Sequence, residues 1–229
     1  TRIEPIFADS EYLGNSTFTS DSGKSGIREV YFFISMPKNN RKGKAAVITN
    51  TEYSKVRQQI LSEKYRLLLD IGWFTGERWG ALVQLRVADV YDQPGIAKTD
   101  IIFPAIIRKH RPDGTADTTE IPVHHILKES LERYKPQTNS EWLFPSRCGT
   151  KPIVWKNAYN ILMAAVEKAG YESKGIATHT MRRSFVNRLR KNGIPKEIIR
   201  TFTGHRDNKG LDSYFEIETD ERRGAIATL

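Results

Sequence analysis

The residues best suited to chemistry lie in one basic stretch, between positions 179 and 214. This stretch contains nine arginines and lysines against three carboxylates, together with two histidines and a late tyrosine. Arginines hold anions, histidines move protons near neutral pH, and a phenol can serve as a nucleophile. The combination predicts a site that holds a phosphodiester and attacks it with Tyr214. A plain DNA-binding face is the alternative, because phosphate contacts also need clustered cations.

Spacing within and beyond this stretch extends the candidate site. His179 and Arg182 are three positions apart, which places both on one face of a helix. Arg78 lies far upstream in the run TGER, and Lys109 lies near the tip of an expected hairpin. A guanidinium is planar, permanently charged and able to hold two oxygens at once. Arg78 and Arg182 therefore suit the nonbridging oxygens of a phosphate better than lysines would.

The elements that must position these residues are mostly helical. Two strand-like runs, 101–107 and 118–123, bracket a Pro112-Asp113-Gly114 turn and predict a hairpin. We expect a mostly α fold with a small antiparallel β-sheet, in the α+β class. Asn50 or Thr51 is expected to cap the first helix. Apolar periodicity and end signals predict helices over 50–61, 63–76, 78–85, 124–134, 153–169, 178–192, 195–204 and from 219 onward.

Composition narrows the class of partner. The 229 residues carry a net charge of +9, which predicts attraction to polyanions, nucleic acid first and an anionic membrane surface second. No apolar run approaches the ~18 residues of a membrane span, and no leader opens the chain. Cys148 is the only cysteine, so neither an intrachain disulfide nor a cysteine-rich zinc site is expected. We expect a cytoplasmic, nucleoid-associated protein.

The chain divides near residue 45. Residues 1–45 are expected to form an extension with one strand, over Glu29–Met36, followed by a basic linker over Lys38–Lys44. Residues 46–229 are expected to form the main domain. The helix predicted over 124–134 should turn Ile126, Leu127 and Leu131 towards its core.

Four motifs in order resemble the tyrosine recombinase, or phage integrase, family over residues 48–229. The motifs are Thr75-Gly76-x-Arg78, His179-x-x-Arg182, Gly204-His205, and Tyr214 nine residues after His205. The resemblance implies the catalytic-domain fold of that family. The separate amino-terminal domain with which the family clamps DNA is not recognisable before residue 46.

The resemblance also implies a reaction, site-specific DNA recombination or integration. Tyr214 would attack phosphorus and leave a covalent 3′-phosphotyrosine with a free 5′-hydroxyl. His179 is then the candidate acceptor of the phenolic proton, and His205 is either a donor to a phosphate oxygen or a partner of His179 in that proton transfer. Lys109, by its match to the family's hairpin lysine, is the candidate general acid for the leaving 5′-oxygen. The phosphotyrosine conserves the bond energy, so no ATP, metal or other cofactor is expected, and the sequence contains no GxxxxGK[ST] loop.

Two positions depart from the family pattern. The position three after Arg78 is usually acidic in the family and is Ala81 here, and Arg183 stands where the family often has a histidine. The resemblance implies double-stranded DNA as the partner and a tetramer on that DNA. The expected DNA contacts are Lys42, Lys44, Arg108, Arg183, Arg188 and Arg206.

Two other functions stay open at this point. The segment 179–206, with two short helices joined at Asn192–Pro195, fits a helix-turn-helix that binds DNA without cutting it. That hypothesis leaves Arg78 and the spacing from His205 to Tyr214 unexplained. Type IB topoisomerases are the third candidate, because they use the same arginine, lysine, histidine and tyrosine chemistry to relax supercoils.

Overall fold

A computed structural model describes residues 43–110, 113–205, 208–215, 217 and 219–228. Most of the predicted extension 1–45, including its strand over Glu29–Met36, lies outside the described residues, and so does Pro112 of the predicted turn. None of the helices in the described ranges is long and apolar enough to cross a membrane.

Helices dominate the described residues, and two small antiparallel sheets accompany them. The predicted class, mostly α with a small antiparallel component, is confirmed. The strands form two separate pairs, β1 with β2 and β3 with β4, where one sheet was expected. The elements are α1 (Asn50–Gln58), α2 (Glu63–Thr75), α3 (Trp79–Leu82), β1 (Tyr91–Gln93), β2 (Ile96–Ala97), β3 (Asp100–Phe103), β4 (Thr119–Pro122), α4 (His125–Arg133), α5 (Trp155–Lys168), α6 (His179–Lys191), α7 (Lys196–Thr203), α8 (Asn208–Asp212) and α9 (Thr219–Ala227).

The residue that caps the first helix lies one position earlier than predicted. Thr49, not Asn50 or Thr51, caps α1, because its side chain accepts from the Glu52 N–H and the Glu52 carboxylate accepts from the Thr49 N–H. The helix ends at Gln58, so Leu61 falls outside it and is 72% exposed. The capping box formed by Thr49 and Glu52 was therefore a better indicator of where the helix starts than Asn50 alone.

The way α2 ends places Arg78 next to α6, the first helix of the basic stretch 179–214. Gly76 ends α2 in the left-handed conformation at φ 66°, and a Cβ there would collide with the Phe185 ring of α6. This close approach lets α2 and α6 pack side by side. Arg78, two residues after the glycine, consequently starts α3 beside α6.

The predicted hairpin is present but shorter. In β3 and β4, Ile101 faces Ile121 and Phe103 faces Thr119. Residues 105–107, expected in the first strand, form a 3₁₀ turn that leads into the site. The pair β1–β2 around Gly95 was not predicted, because strands of three and two residues are too short to show an alternating pattern.

Two hydrophobic clusters form the core of the described residues. The larger is built on α1 to α6 and includes Trp73, Phe103 and Phe144. The smaller consists of Phe185, Val186, Ile199 and Leu211, and Tyr214 packs partly against it. Leu211 belongs to α8, a helix of five residues that was too short to predict. This smaller cluster attaches the segment that carries the tyrosine to α6 and α7.

One prediction of inward-facing residues fails on α4. Leu127 and Leu131 are fully buried, but Ile126 is 49% exposed, so only two of the three face the core. We expect Leu131→Ala to lower the free energy of unfolding by about 2–5 kcal/mol, because it leaves a cavity. Ile126→Ala, on the same helix, should change it by less than about 0.5 kcal/mol. Urea denaturation of both variants measures this, and equal losses would contradict the assigned orientation of α4.

Candidate active site

Arg182 is the buried cation at the centre of the candidate site. It is 1% exposed, and its guanidinium donates to the carbonyls of Gly76, at 3.0 Å, and of Thr203. Its guanidinium carbon lies 5.6 Å from the centre of the Tyr214 ring. Desolvation and the nearby charge of Arg78 lower the Arg182 pKa to about 10, which leaves the side chain protonated at neutral pH. A permanent positive charge is thus held beside the phenol.

His205 completes the surroundings of the tyrosine. Gly204 ends α7 in the left-handed conformation at φ 65°, and this reversal directs His205 back over the site. The His205 and Tyr214 rings are 5.0 Å apart between centres. The His205 Nδ1 lies 2.8 Å from the Thr203 hydroxyl, which orients the imidazole. The structure therefore brings Arg182, His205 and Tyr214 together.

Two side chains of α6 hold the backbone of the tyrosine segment. Asn187 is 2% exposed, and its amide donates to the carbonyl of Tyr214 at 2.7 Å. Arg183 donates to the carbonyl of Ser213 at 3.1 Å. Sequence reasoning missed Asn187, although its position eight residues after His179 places it on the helix face of the predicted site. Arg183 holds the backbone beside Tyr214, where a phosphate contact was expected.

His179 lies close to Arg78 and Lys109, the two remaining predicted cations. The side chain keeps an exposed edge at the start of α6. Burial of the imidazole, followed by the positive charges of Arg182, Arg78 and Lys109, lowers the His179 pKa below its usual value. Arg78 is half-buried and Lys109 exposed, and both are close enough for their charge to act on this ring. The histidine is consequently neutral at pH 7 and able to accept a proton.

This pKa shift predicts the pH profile of the reaction. A base works only in its neutral form, so the rate of DNA cleavage should be constant above the His179 pKa and fall below it. Because that pKa is lowered, the midpoint of the fall should lie below pH 6.5. Single-turnover cleavage rates between pH 5 and 8 measure it. His179→Gln should remove this limb, whereas the exposed His125→Gln should keep it; a decline already complete at pH 7 would contradict the assignment.

A buried carboxylate, not anticipated from the sequence, lies behind the arginines. Glu77 is 1% exposed, and its Oε2 accepts from Arg108 Nη2 at 3.0 Å and Nε at 3.2 Å. Its Oε1 accepts the Arg78 N–H at 2.8 Å and lies 3.9 Å from Arg182 Nη1. An acidic residue between the glycine and the arginine of TGER was the available signal. Ala81, at the usual acidic position of the family, is buried.

The residues expected to contact DNA divide into exposed and interior groups. Lys44 is exposed, as a phosphate contact requires. Arg108 is 7% exposed and paired with Glu77, so it no longer belongs among the proposed DNA contacts. Arg188 stacks 3.8 Å over the centre of the Trp73 ring and donates to the Trp73 carbonyl, which commits it to the α2–α6 contact. Lys42 and Arg206 lie outside the described residues.

The sequence profile of the phage integrase family matches residues 46–221. The chain belongs to the phage integrase family. Similarity to this family therefore extends over every predicted catalytic residue, from Arg78 to Tyr214. The described part of the chain has a fold similar to that of tyrosine recombinase catalytic domains.

Individual relatives support the same family assignment. It is 24% identical over 177 residues to the tyrosine recombinase XerD of Rickettsia bellii (strain RML369-C), covering 74% of the chain and 57% of that relative. The crystal structure of XerA recombinase matches with a TM-score of 0.64 at 17% identity, over 80% of this chain and 65% of that one. XerH bound to a palindromic difH substrate matches with a TM-score of 0.62 at 20% identity, over 79% and 52%. The chain thus spans just over half the length of its curated relative.

The helix-turn-helix alternative is not favoured. The family match extends over residues 46–221, far beyond the segment 179–206 that this alternative explains. The first helix of that segment, α6, is moreover buried over residues 180–187. The helix instead forms the floor of the site. Among the described residues, no group of three His, Cys, Asp or Glu side chains is placed to hold a metal ion.

Proposed function

We propose that this chain is the strand-cleaving domain of a site-specific DNA recombinase or integrase, which works through a covalent 3′-phosphotyrosine. The observation that carries the proposal is the convergence on Tyr214. A buried guanidinium, Arg182, lies 5.6 Å from its ring and an imidazole, His205, lies 5.0 Å from it. A surface tyrosine that only packs against its neighbours does not need a buried guanidinium and an oriented imidazole beside its ring.

The chemistry follows from these positions. The Tyr214 oxygen attacks phosphorus while His179, neutral at pH 7, takes the phenolic proton. Arg78 and Arg182 stabilise the negative charge that grows on the nonbridging oxygens, and His205 adds a donor. The bond from phosphorus to the 5′-oxygen breaks, and Lys109 protonates that oxygen. Attack by a 5′-hydroxyl on the phosphotyrosine reverses these steps and rejoins a strand.

We infer that neither a metal ion nor ATP takes part. Cations of the chain itself occupy the role that a metal would have towards the phosphate. The phosphotyrosine ester is close in energy to the phosphodiester it replaces, because one oxygen ester is exchanged for another. Cleavage and rejoining should therefore proceed in EDTA and without nucleotide.

Double-stranded DNA is the proposed partner, held largely through its phosphates. The net charge of +9 favours such binding, whose affinity should fall steeply with salt. A neighbour of the same fold, XerH, was crystallised on a palindromic DNA substrate, which supports the choice of duplex DNA. Exchange between two duplexes requires four cleavages, so we propose a tetramer on DNA, acting at the nucleoid of the cytoplasm.

The deciding experiment traps the covalent intermediate. The protein is incubated in EDTA with a nicked duplex from which the short cleaved fragment diffuses away, and an SDS-stable protein–DNA adduct is sought. Since the natural site is unknown, a pool of nicked random duplexes is used, and the trapped DNA is sequenced. Nuclease digestion and peptide mass mapping then locate the nucleotide-bearing residue, which we expect to be Tyr214.

Each outcome separates the candidate functions. An adduct at Tyr214 through a 3′-phosphate, followed by transfer to a second duplex, supports the recombinase. Relaxation of supercoils without transfer to a second duplex would favour topoisomerase chemistry. Saturable DNA binding with no adduct on any member of the pool would favour a protein that binds DNA without cutting it.

A further inference from the structure

Glu77 carries a full charge at a position where solvent cannot stabilise it. Its side chain is 0% exposed, and the Arg108 side chain paired with it is 6% exposed. Burying a carboxylate is costly unless opposite charge and hydrogen bonds compensate. The Nε and Nη2 atoms of Arg108 donate to Oε2 of Glu77, and the Arg78 N–H donates to Oε1. Because both oxygens of this buried carboxylate have hydrogen-bond donors, the pair has a defined geometry, unlike an ion pair on the surface.

Arg108 links that carboxylate to both ends of the connection between β3 and β4. Its Nη1 donates to the carbonyl of Asp117 at 3.0 Å and to the Thr119 hydroxyl. On its other side the guanidinium packs against Gly204, where a Cβ would lie only 2.8 Å from Nη2. One side chain therefore joins the loop after α2, the base of the hairpin and the turn that carries His205.

Lys109 is the next residue after this anchor. Adjacent Cα atoms are about 3.8 Å apart, so fixing Arg108 restricts where the exposed Lys109 can reach. Its charge already acts on His179 at the start of α6. Without the anchor, the connection after β3 is a surface segment whose lysine samples many positions. A general acid must instead meet the leaving oxygen at hydrogen-bond distance.

We propose that the Glu77–Arg108 ion pair is a positioning device that holds Lys109 against the leaving 5′-oxygen. Glu77, the residue before Arg78, supplies a buried carboxylate, whereas Ala81 has none. This inference rests on the proposed function. In the step concerned, the Tyr214 oxygen bonds to phosphorus, the bond from phosphorus to the 5′-oxygen breaks, and the Lys109 ammonium gives its proton to that oxygen and becomes neutral.

The test replaces the leaving 5′-oxygen by sulfur. A thiolate leaves without protonation, so a substrate with a bridging 5′-phosphorothiolate does not need the general acid. Substrates with either atom are made from a sequence that the wild-type chain cleaves. Single-turnover cleavage is measured for the wild type, Lys109→Ala, Arg108→Gln and Glu77→Gln. Asp70→Asn is the matched control, because Asp70 is also buried and ion-paired, to Arg57, but away from the hairpin.

We expect Arg108→Gln and Glu77→Gln to slow cleavage of the oxygen substrate by about 10- to 100-fold, as a displaced catalytic group does. Both variants, and Lys109→Ala with them, should regain rates within about threefold of wild type on the sulfur substrate. Asp70→Asn should lower the melting temperature but show the wild-type ratio of the two rates. If Arg108→Gln does not fold, Arg108→Lys keeps the charge without the fork and is measured in its place.

Other results overturn the inference. Equal slowing on both substrates would mean that Glu77 and Arg108 act on the fold or on Arg182, not on the proton donor. Wild-type rates on the oxygen substrate for both variants would remove the positioning role altogether. Both of these results would leave the proposed function intact, because the wild-type chain would still form the covalent adduct. If the wild-type chain cleaves no member of the pool of nicked duplexes, the proposed function and this inference are overturned together.

Discussion

Tyr214→Phe is expected to abolish covalent attachment to DNA, with a loss of at least about 10⁴-fold in cleavage, because the nucleophilic oxygen is removed. The ring would still pack against the cluster of Phe185 and Leu211, so the fold and DNA affinity should remain. Adduct formation on a nicked duplex and a gel-shift titration measure the two properties separately.

A matched substitution makes this result specific. Tyr159→Phe removes a hydroxyl from a half-buried tyrosine on α5 that lies against Trp155, away from the site. Cleavage by this variant should equal that of the wild type. If Tyr214→Phe still forms the adduct, the nucleophile is another residue, and the arrangement around Arg182 needs a different explanation.

The second large effect concerns Arg78. Arg78→Ala should reduce cleavage by about 10²–10³-fold, since a donor to the developing negative charge is lost. Arg78→Lys keeps the charge but loses the planar fork and should restore only part of the rate. Unlike Arg182, the half-buried Arg78 makes no side-chain ion pair with the described residues, so folding should be nearly unaffected. Single-turnover cleavage and thermal denaturation test both statements.

A change in the substrate tests the reason for this loss. Replacing one nonbridging oxygen of the scissile phosphate by a methyl group removes the charge that Arg78 stabilises. Arg78→Ala should cleave that neutral substrate at a rate much closer to wild type than it cleaves the phosphate. Arg86→Ala, which removes an exposed arginine paired with Glu141, should behave as wild type on both. An unchanged deficit on the neutral substrate would assign Arg78 a structural role.

Local signals in the sequence predicted most of the helices. Gly76, Gly193 and Gly204 follow helix ends as expected, because a left-handed residue is readily accepted only as glycine. The errors fall where the local signal was short or ambiguous. The pair β1–β2 and helix α8 contain too few residues for a period to appear, and Ile126 lies at a helix edge that either orientation would accept.

The candidate site was predictable as a set of residue types, but its interior connections were not. The order of TGER, His179-x-x-Arg182 and Gly204-His205 with Tyr214 indicated the chemistry, and the structure places Arg182 and His205 beside the Tyr214 phenol. Arg108 and Arg188 looked like any basic surface residue in the sequence. Their burial depends on Glu77, 31 positions from Arg108, and on the ring of Trp73.

The sequence by itself determined the reactive groups, their order and the helices that carry them, because side-chain chemistry, periodicity and helix-end residues act over a few positions. Only the tertiary structure decided which cations line the candidate site and which pair with a buried carboxylate. The physical reason is that the charge state and partners of a side chain depend on desolvation and on distances between residues far apart in the chain. Glu77 is the clearest case, since its role exists only once α2, α6 and the hairpin have packed together.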